Sequence, residues 1–291
     1  MKKLLALFLA CTMVLGLAGC KKQQEEEINT PSAEEAVSSM KNPIDALARC
    51  MVENNLEYNP EDPAFFWTAL YYFAGAYSIE HEGVEELTDS FQLKVPSSVM
   101  EEYAIALFSE YHGLPDLPDI MQGNVSYDAD ADAYLLSQGD IGLSETRLSD
   151  IRETADGYAL TAKLWSTGPE AEDVIASFDV TLVRNTFSED IENPLYLCSV
   201  SSIKMTQRRG ADVSDGTAVL IPEETVTATF NGLSDAHTAE MTLADGSVRA
   251  FQFDTESDAG KIIGGLNEGD VITFGYVTDD SNGSSIIVTA E

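Results

Sequence analysis

The chain has 291 residues and sets 50 Asp and Glu against 16 Lys and Arg, a formal net charge of −34. Acidity on this scale repels phosphate backbones and anionic lipid, so charge-driven binding to nucleic acid is excluded as an ordinary role. A hydrophobic share of 44 % is enough for packed globular cores.

Met1, Lys2 and Lys3 form a short positive start, and Leu4 to Leu17 is an apolar run broken only by Thr12 and Gly16. Small residues Ala18 and Gly19 follow. This is the layout of a secretory signal, too short and wrongly flanked for a stable spanning helix. Leu17-Ala18-Gly19-Cys20 resembles the lipobox of bacterial lipoproteins. The resemblance implies removal of residues 1–19 and a diacylglycerol on the Cys20 sulfur. Two acyl chains then suffice for stable anchoring on the extracytoplasmic face of a cell membrane. Residues 20–40 are polar, charged and without apolar period, and read as a flexible acidic tether.

A first domain is expected over residues 41–208. Asn42 and Pro43 suit a helix start, Asp45 and Arg49 stand at i,i+4, and Ile44, Leu47 and Met51 mark one face. Asp62-Pro63 opens a second helix through Phe65, Phe66, Trp67, Leu70, Tyr71 and Phe73 to Tyr77, apolar nearly all round and therefore buried on several sides. Ser98 and Glu101 have capping-box spacing for a third, which Gly113 and Pro115 end. The period then changes to two. Asp156-Gly157 signals a hairpin, and Tyr158 to Leu164 and Val174 to Leu182 alternate as strands. Between 195 and 207 the apolar phase shifts, which calls for a bulge or bend. Helices followed by antiparallel strands read as α+β, with helices packed on a curved antiparallel sheet. This order resembles the cone-shaped nuclear-transport-factor-two-like superfamily. That fold has a short strand between its helices, for which Phe91 to Val95 is a poor candidate.

Residues 209–221 are polar and lack periodicity up to Ala218, and read as a linker. A small all-β domain is expected over 222–291. Its strands lie at Val226–Phe230, His237–Leu243, Val248–Phe253, Val271–Val277 and Ile286–Val288, with turns at Asp245-Gly246 and Asn282-Gly283 and one helical turn at Ala259–Ile263. Five strands with a helix after the third resemble an oligonucleotide/oligosaccharide-binding (OB-like) barrel. Gly265-Leu266-Asn267-Glu268-Gly269-Asp270, placed before a strand, resembles the small barrel modules of secreted bacterial proteins.

Chemistry-bearing patterns are sparse. Asp128, Asp130 and Asp132 have alternate spacing, but Ala133 and Gly139 stand where a calcium hand needs glycine and glutamate, so they read as an acidic loop or edge. His81, His112 and His237 show no zinc spacing. No Gly-x-Ser-x-Gly elbow or phosphate-cradling loop occurs. Cys50 and Cys198 permit a disulfide without requiring one. No metal, cofactor or catalytic residue is therefore expected. Phe66, Trp67, Tyr71 and Tyr103 are the candidate lining of a ligand pocket, although such a pattern more often reads as core.

The sequence thus points to a membrane-anchored, non-catalytic module for an unknown small-molecule ligand or protein partner. The alternative is a cell-envelope enzyme using carboxylate or tyrosine acid–base groups, recognisable by a deep pocket with a buried carboxylate beside Tyr or His. The barrel strands and their helix carry Arg249 and Lys261 as their basic side chains. A single-stranded oligonucleotide should therefore show no micromolar binding at physiological salt, and fluorescence anisotropy checks this.

Overall fold

The computed structural model describes residues 33–138, 142–167, 173–185, 195–255, 257–278 and 283–291. The signal, Cys20 and most of the tether lie outside the described residues, as does Asn282. Helix α1 (Ala33–Ser39) runs at Met40 into α2 (Lys41–Glu53). The tether expectation therefore stops short of Met40, because Ala36, Val37 and Met40 are buried in the core. Residue 41 already belongs to α2, and no side chain caps that helix. α3 (Pro63–Tyr77) starts as its sequence demands: the Asp62 side chain accepts from the Ala64 N–H at 3.0 Å, with proline at the first position. Burying each Phe or Leu of this helix contributes about 1.5–3 kcal/mol, and Phe65, Leu70 and Phe73 are all buried.

Two short strands follow, β1 (Glu85–Leu87) and β2 (Gln92–Pro96), and then α4 (Ser97–Leu107). The capping box does not form. Pro96 is the N-cap residue, and the Ser97 hydroxyl donates instead to Asp132 at 2.8 Å. α4 also ends well before Gly113. Phe108 turns to extended backbone and stacks on Phe66, with centroids 4.5 Å apart. The Ser109 N–H then donates to the Val200 carbonyl at 3.0 Å. Packing and a strand partner thus capture the chain before the sequence stop signal, and Tyr111 and His112 lie beyond the helix.

β3 (Val125–Asp128) and β4 (Ala133–Ser137) complete a four-stranded sheet of order β1-β2-β4-β3. The second sheet is a meander of β5 (Ser144–Glu153), β6 (Gly157–Ser166), β7 (Val174–Arg184) and β8 (Cys198–Arg208). The strand required between the helices by the superfamily resemblance is present at β2, but it is bonded into the first sheet, apart from the meander. The phase shift near residue 200 has the anticipated cause. Pairing with β7 skips Ser201 and Thr206, so Cys198 and Val200 face the core, and Ile203 and Met205 still reach it after the parity change.

After β8 the chain forms a hairpin, β9 (Ala211–Ser214) and β10 (Thr217–Leu220), over the stretch that reads as a linker. Its Ala218 is buried with the first core, and the Ile221 N–H closes on the Gly210 carbonyl at 2.7 Å. Next come β11 (Glu224–Asp235), β12 (Thr238–Leu243), β13 (Val248–Phe253), α5 (Asp258–Ile263), β14 (Val271–Thr278) and β15 (Ser285–Ala290). These strands close as a barrel of order β11-β12-β13-β15-β14, compatible with an OB-like module. The barrel has its own core around Phe230, Met241, Phe251, Ile263, Phe274 and Ile287. In the Gly265–Asp270 loop, the Asp270 carboxylate accepts from the Asn267 N–H at 2.7 Å, and the Gly269 N–H donates to the Phe230 carbonyl at 2.9 Å. This ties the loop before β14 onto β11.

Gly157 is required for close approach. A Cβ there would sit 2.1 Å from the Leu182 carbonyl oxygen. Gly157→Ala should therefore destabilise the protein by about 1–3 kcal/mol through strain on the β6–β7 ladder. A lower denaturation midpoint at unchanged m-value checks it.

Candidate functional site

Two arrangements stand out, one of buried polar groups and one a cleft whose polar groups are exposed or half-exposed. In the first, the Asp45 carboxylate on α2 is buried, 4 % exposed, beside Arg49, 2 % exposed. Arg49 Nε donates to Asp45 Oδ2 at 2.8 Å, and the Tyr77 hydroxyl on α3 donates to the same oxygen at 2.5 Å. Arg49 Nη2 donates to the Tyr77 oxygen at 3.3 Å. Asp45 Oδ1 accepts the Thr146 backbone N–H on β5 at 2.9 Å. β5 is an edge strand of the meander, and this N–H takes no part in its ladder. Asp45 therefore satisfies a buried edge donor that otherwise lacks a partner. Burial first, and the Asp45 charge second, push the Tyr77 hydroxyl above its usual range.

This is a buried carboxylate beside a tyrosine, the pair that the enzyme alternative asks for. Its geometry is closed. Both carboxylate oxygens are engaged in joining α2, α3 and β5, and none of Asp45, Arg49 and Tyr77 lines the cleft described next. The pair acts as a clamp.

The second arrangement is a cleft of about 140 Å³. Its apolar lining comes from Val52 at the end of α2, Leu164 and Ile175 of the meander, Leu220 of the hairpin, and Val277 and Ile286 of the barrel. Polar groups at the same cleft are Glu53, Ser144, Ser166, Arg208, Arg209, Glu223 and Thr278. Arg208 also donates to Asn55 Oδ1 at 2.7 Å, and Arg209 stands 3.8 Å from Asp173. Glu53 accepts from the Tyr72 hydroxyl at 2.7 Å, and Glu223 from the Thr278 N–H at 3.1 Å. The barrel's approach depends on Gly275, where a Cβ would lie 2.6 Å from the Pro222 ring. The Glu223 N–H next to it bonds the Tyr276 carbonyl at 2.9 Å.

The four pocket candidates from the sequence lie elsewhere. Phe66 and Trp67 are buried neighbours, centroids 6.2 Å apart. Trp67 packs on Tyr134, and its Nε1 donates to the Pro115 carbonyl at 3.0 Å. Tyr103 is buried against Phe73, 4.7 Å between centroids, with Tyr196 and His81 at its other sides. Tyr71 is half-buried beside Tyr72. Burial raises the hydroxyls of Tyr71 and Tyr103, helped at Tyr103 by Glu102. None of the four lines the cleft.

Cys50 and Cys198 are both buried and free. Burial pushes the Cys198 thiol up to about 11, with Arg184 acting the other way, and raises Cys50 further with help from Glu53. Thiols so shifted are poor nucleophiles. Asp128 caps its own turn by accepting from the Asp130 and Ala131 N–H groups, and Asp132 accepts from Ser97 and the Tyr127 hydroxyl. Among the described residues no cluster of three His, Cys, Asp or Glu is placed to hold a metal ion, and no helix is long and apolar enough to cross a membrane.

The cleft escaped the sequence because its lining comes from distant segments with no shared motif. The one local signal was Arg208-Arg209, an isolated basic pair in a very acidic chain. No protein-family model and no curated protein matches the chain.

Replacing Asp45 by Asn should leave the Arg49 charge buried without its counter-ion and cost about 3–5 kcal/mol. Asp45→Leu with Arg49→Met, which removes both charges together, should cost less than the single change. Chemical denaturation of both variants measures the difference.

Proposed function

We propose that this protein is a membrane-anchored, extracytoplasmic lipoprotein whose folded part is a non-catalytic binding module. The anchor reading rests on Leu17-Ala18-Gly19-Cys20, after a positive start and an apolar run of signal-peptide length. The binding reading rests on one observation, the cleft built jointly by the meander, the hairpin and the barrel, with apolar walls and two arginines. Ligand sites favour such places, where packed bodies meet and a few polar groups converge on an apolar concavity. The OB-like barrel contributes Glu223, Val277, Thr278 and Ile286 to the cleft, and in this reading it serves as half of a ligand site. A non-catalytic role is favoured because Asp45, the buried carboxylate beside a tyrosine, holds α2 to β5, and because the thiols of Cys50 and Cys198 are shifted away from reactivity.

The lipid sets the location. Each buried methylene adds about 0.8 kcal/mol of membrane affinity, so one diacylglycerol holds the chain at the surface. Cys20→Ala, expressed from the full chain in a bacterial host, should partition into the aqueous phase of a detergent separation, whereas the wild type should enter the detergent phase. Detergent partitioning of the variant would show that Cys20 does not carry the anchor.

A further inference from the structure

We propose that one end of the first sheet is a docking surface for a cationic protein partner, with Phe91 and Ile120 as its apolar anchors. Neither residue lines the cleft, so the inference goes beyond the ligand reading and is tested apart from it. Phe91 is 76 % exposed and Ile120 72 % exposed. Single exposed apolar residues are ordinary on a protein surface. Three further observations carry the inference: the backbone, the placement and the charge.

The φ of Phe91 is +53°, in the left-handed region. Among the described residues, the other non-glycine positions with positive φ are Asn55, Asp132, Asp150 and Asp215. Asn and Asp tolerate that conformation through a short polar side chain, whereas a bulky ring is strained there. Phe91 follows a turn in which the Ser90 N–H donates to the Leu87 carbonyl at 3.1 Å. The fold keeps this strain and gains little packing from a ring that is mostly in solvent. A strained residue that the interior does not use points to a role outside the fold.

The sheet brings Ile120 to the same end. β4 lies between β2 and β3. Ser137 of β4 pairs with Gln92 on one side, and its N–H donates to the Asn124 carbonyl at 2.9 Å on the other. Gln92 and Asn124 are thus two strand spacings, roughly 10 Å, apart. Phe91 adjoins Gln92, and its carbonyl accepts from the Gln138 N–H at 3.1 Å. On the other side the Asn124 N–H bonds back to the Met121 carbonyl at 2.9 Å. Met121 is buried, with the Thr68 hydroxyl of α3 3.7 Å from its sulfur. Ile120 shares the single 3-10 turn Asp119–Met121 and stands in solvent where Met121 is tied down. An aromatic and an aliphatic side chain at one place suit the apolar centre of an interface.

The charge selects the partner. Between Arg49 and Arg147, Lys94 is the only lysine or arginine in the sequence, and it stands 3.9 Å from Asp128. Glu86, Asp89 and Asp119 are exposed near the anchors. Asp119 also accepts from Gln122 Nε2 at 2.6 Å, which leaves its charge in place. These carboxylates act through their field, which needs no free contact. That field repels nucleic acid, anionic lipid and a second copy of this acidic chain, and it steers a basic protein surface inward. A basic segment with an apolar face satisfies both the field and the anchors.

The test uses the mature chain with Cys20→Ser, purified without lipid, and three designed helical peptides. One has a leucine face and a lysine face, the second replaces lysine by glutamate, and the third replaces leucine by serine. Fluorescence anisotropy at physiological salt should show saturable binding of the leucine–lysine peptide, weakened by added salt, and binding at least about tenfold weaker for the other two. Phe91→Asn and Ile120→Ser should each weaken it about tenfold or more. Val271→Ser, at an apolar barrel residue 68 % exposed, should leave it unchanged. Phe91→Asn should at the same time raise the denaturation midpoint, because asparagine relieves the left-handed strain. A residue that serves only the fold would not give that opposite pair of changes. Equal binding of the serine–lysine peptide would reduce the contact to bulk charge and overturn the inference. So would no binding of the leucine–lysine peptide, binding untouched by both anchor variants, an equal loss in Val271→Ser, or a lower midpoint in Phe91→Asn. Binding of the unlipidated chain to phosphatidylcholine vesicles, lost in Phe91→Asn, would make this end a membrane contact and would overturn the protein partner as well.

Discussion

The Asp45 carboxylate is the contact on which the arrangement of the first body depends. It takes a guanidinium from its own helix, a hydroxyl from α3 and a backbone N–H from the edge of the meander. Its energetic meaning is asymmetric. A buried ion pair adds little net stability over a well-packed apolar pair, yet removing one member leaves a stranded charge. The gain is in specificity of placement. Only one register of β5 against α2 brings the Thr146 N–H to Asp45, and that contact covers an edge donor that a sheet otherwise exposes to other chains.

From this clamp the cleft follows. α2 continues eight residues from Asp45 to Glu53, and β5 begins two residues before Thr146, at Ser144. Those ends, Val52 and Glu53 of α2 and Leu143 and Ser144 at the start of β5, line the cleft. The hairpin β9–β10 supplies Leu220, and the chain then passes Pro222 against Gly275 into the barrel. The two cores remain separate clusters, so the barrel packs as a body with its own interior. The cleft is the space that close packing of each body leaves where their surfaces meet.

The elements with a strong local cause were legible in the sequence. α3 begins at Asp62-Pro63 because those two residues supply the cap and the fixed φ. The bulge of β8 at Ser201 could be read from the parity change between Val200 and Ile203. The barrel strands and α5 were legible because period-two runs and tight turns sit close together in 222–291. Ends decided by tertiary contact were not legible. α4 stops at Leu107 because Phe108 finds Phe66 and Ser109 finds Val200, neither visible locally. Residues 209–221 show little apolar period because their two four-residue strands place only Ala211, Val213 and Ala218 on the core. Asp45–Arg49 was visible as a helical pair, but its burial and its bonds to Tyr77 and Thr146 depend on partners 32 and 101 residues away.

The most direct measurement of this account is native-state hydrogen exchange at the Thr146 amide. If the clamp holds the meander edge, that amide exchanges only when the first body unfolds as a whole, with the same free energy as the ladder amides between β6 and β7. In Tyr77→Phe, which removes one donor to Asp45, its protection should fall in step with global stability. A Thr146 amide that exchanges freely under native conditions, while the β6 and β7 amides stay protected, would contradict the claim that Asp45 fixes the edge and, with it, the walls of the cleft.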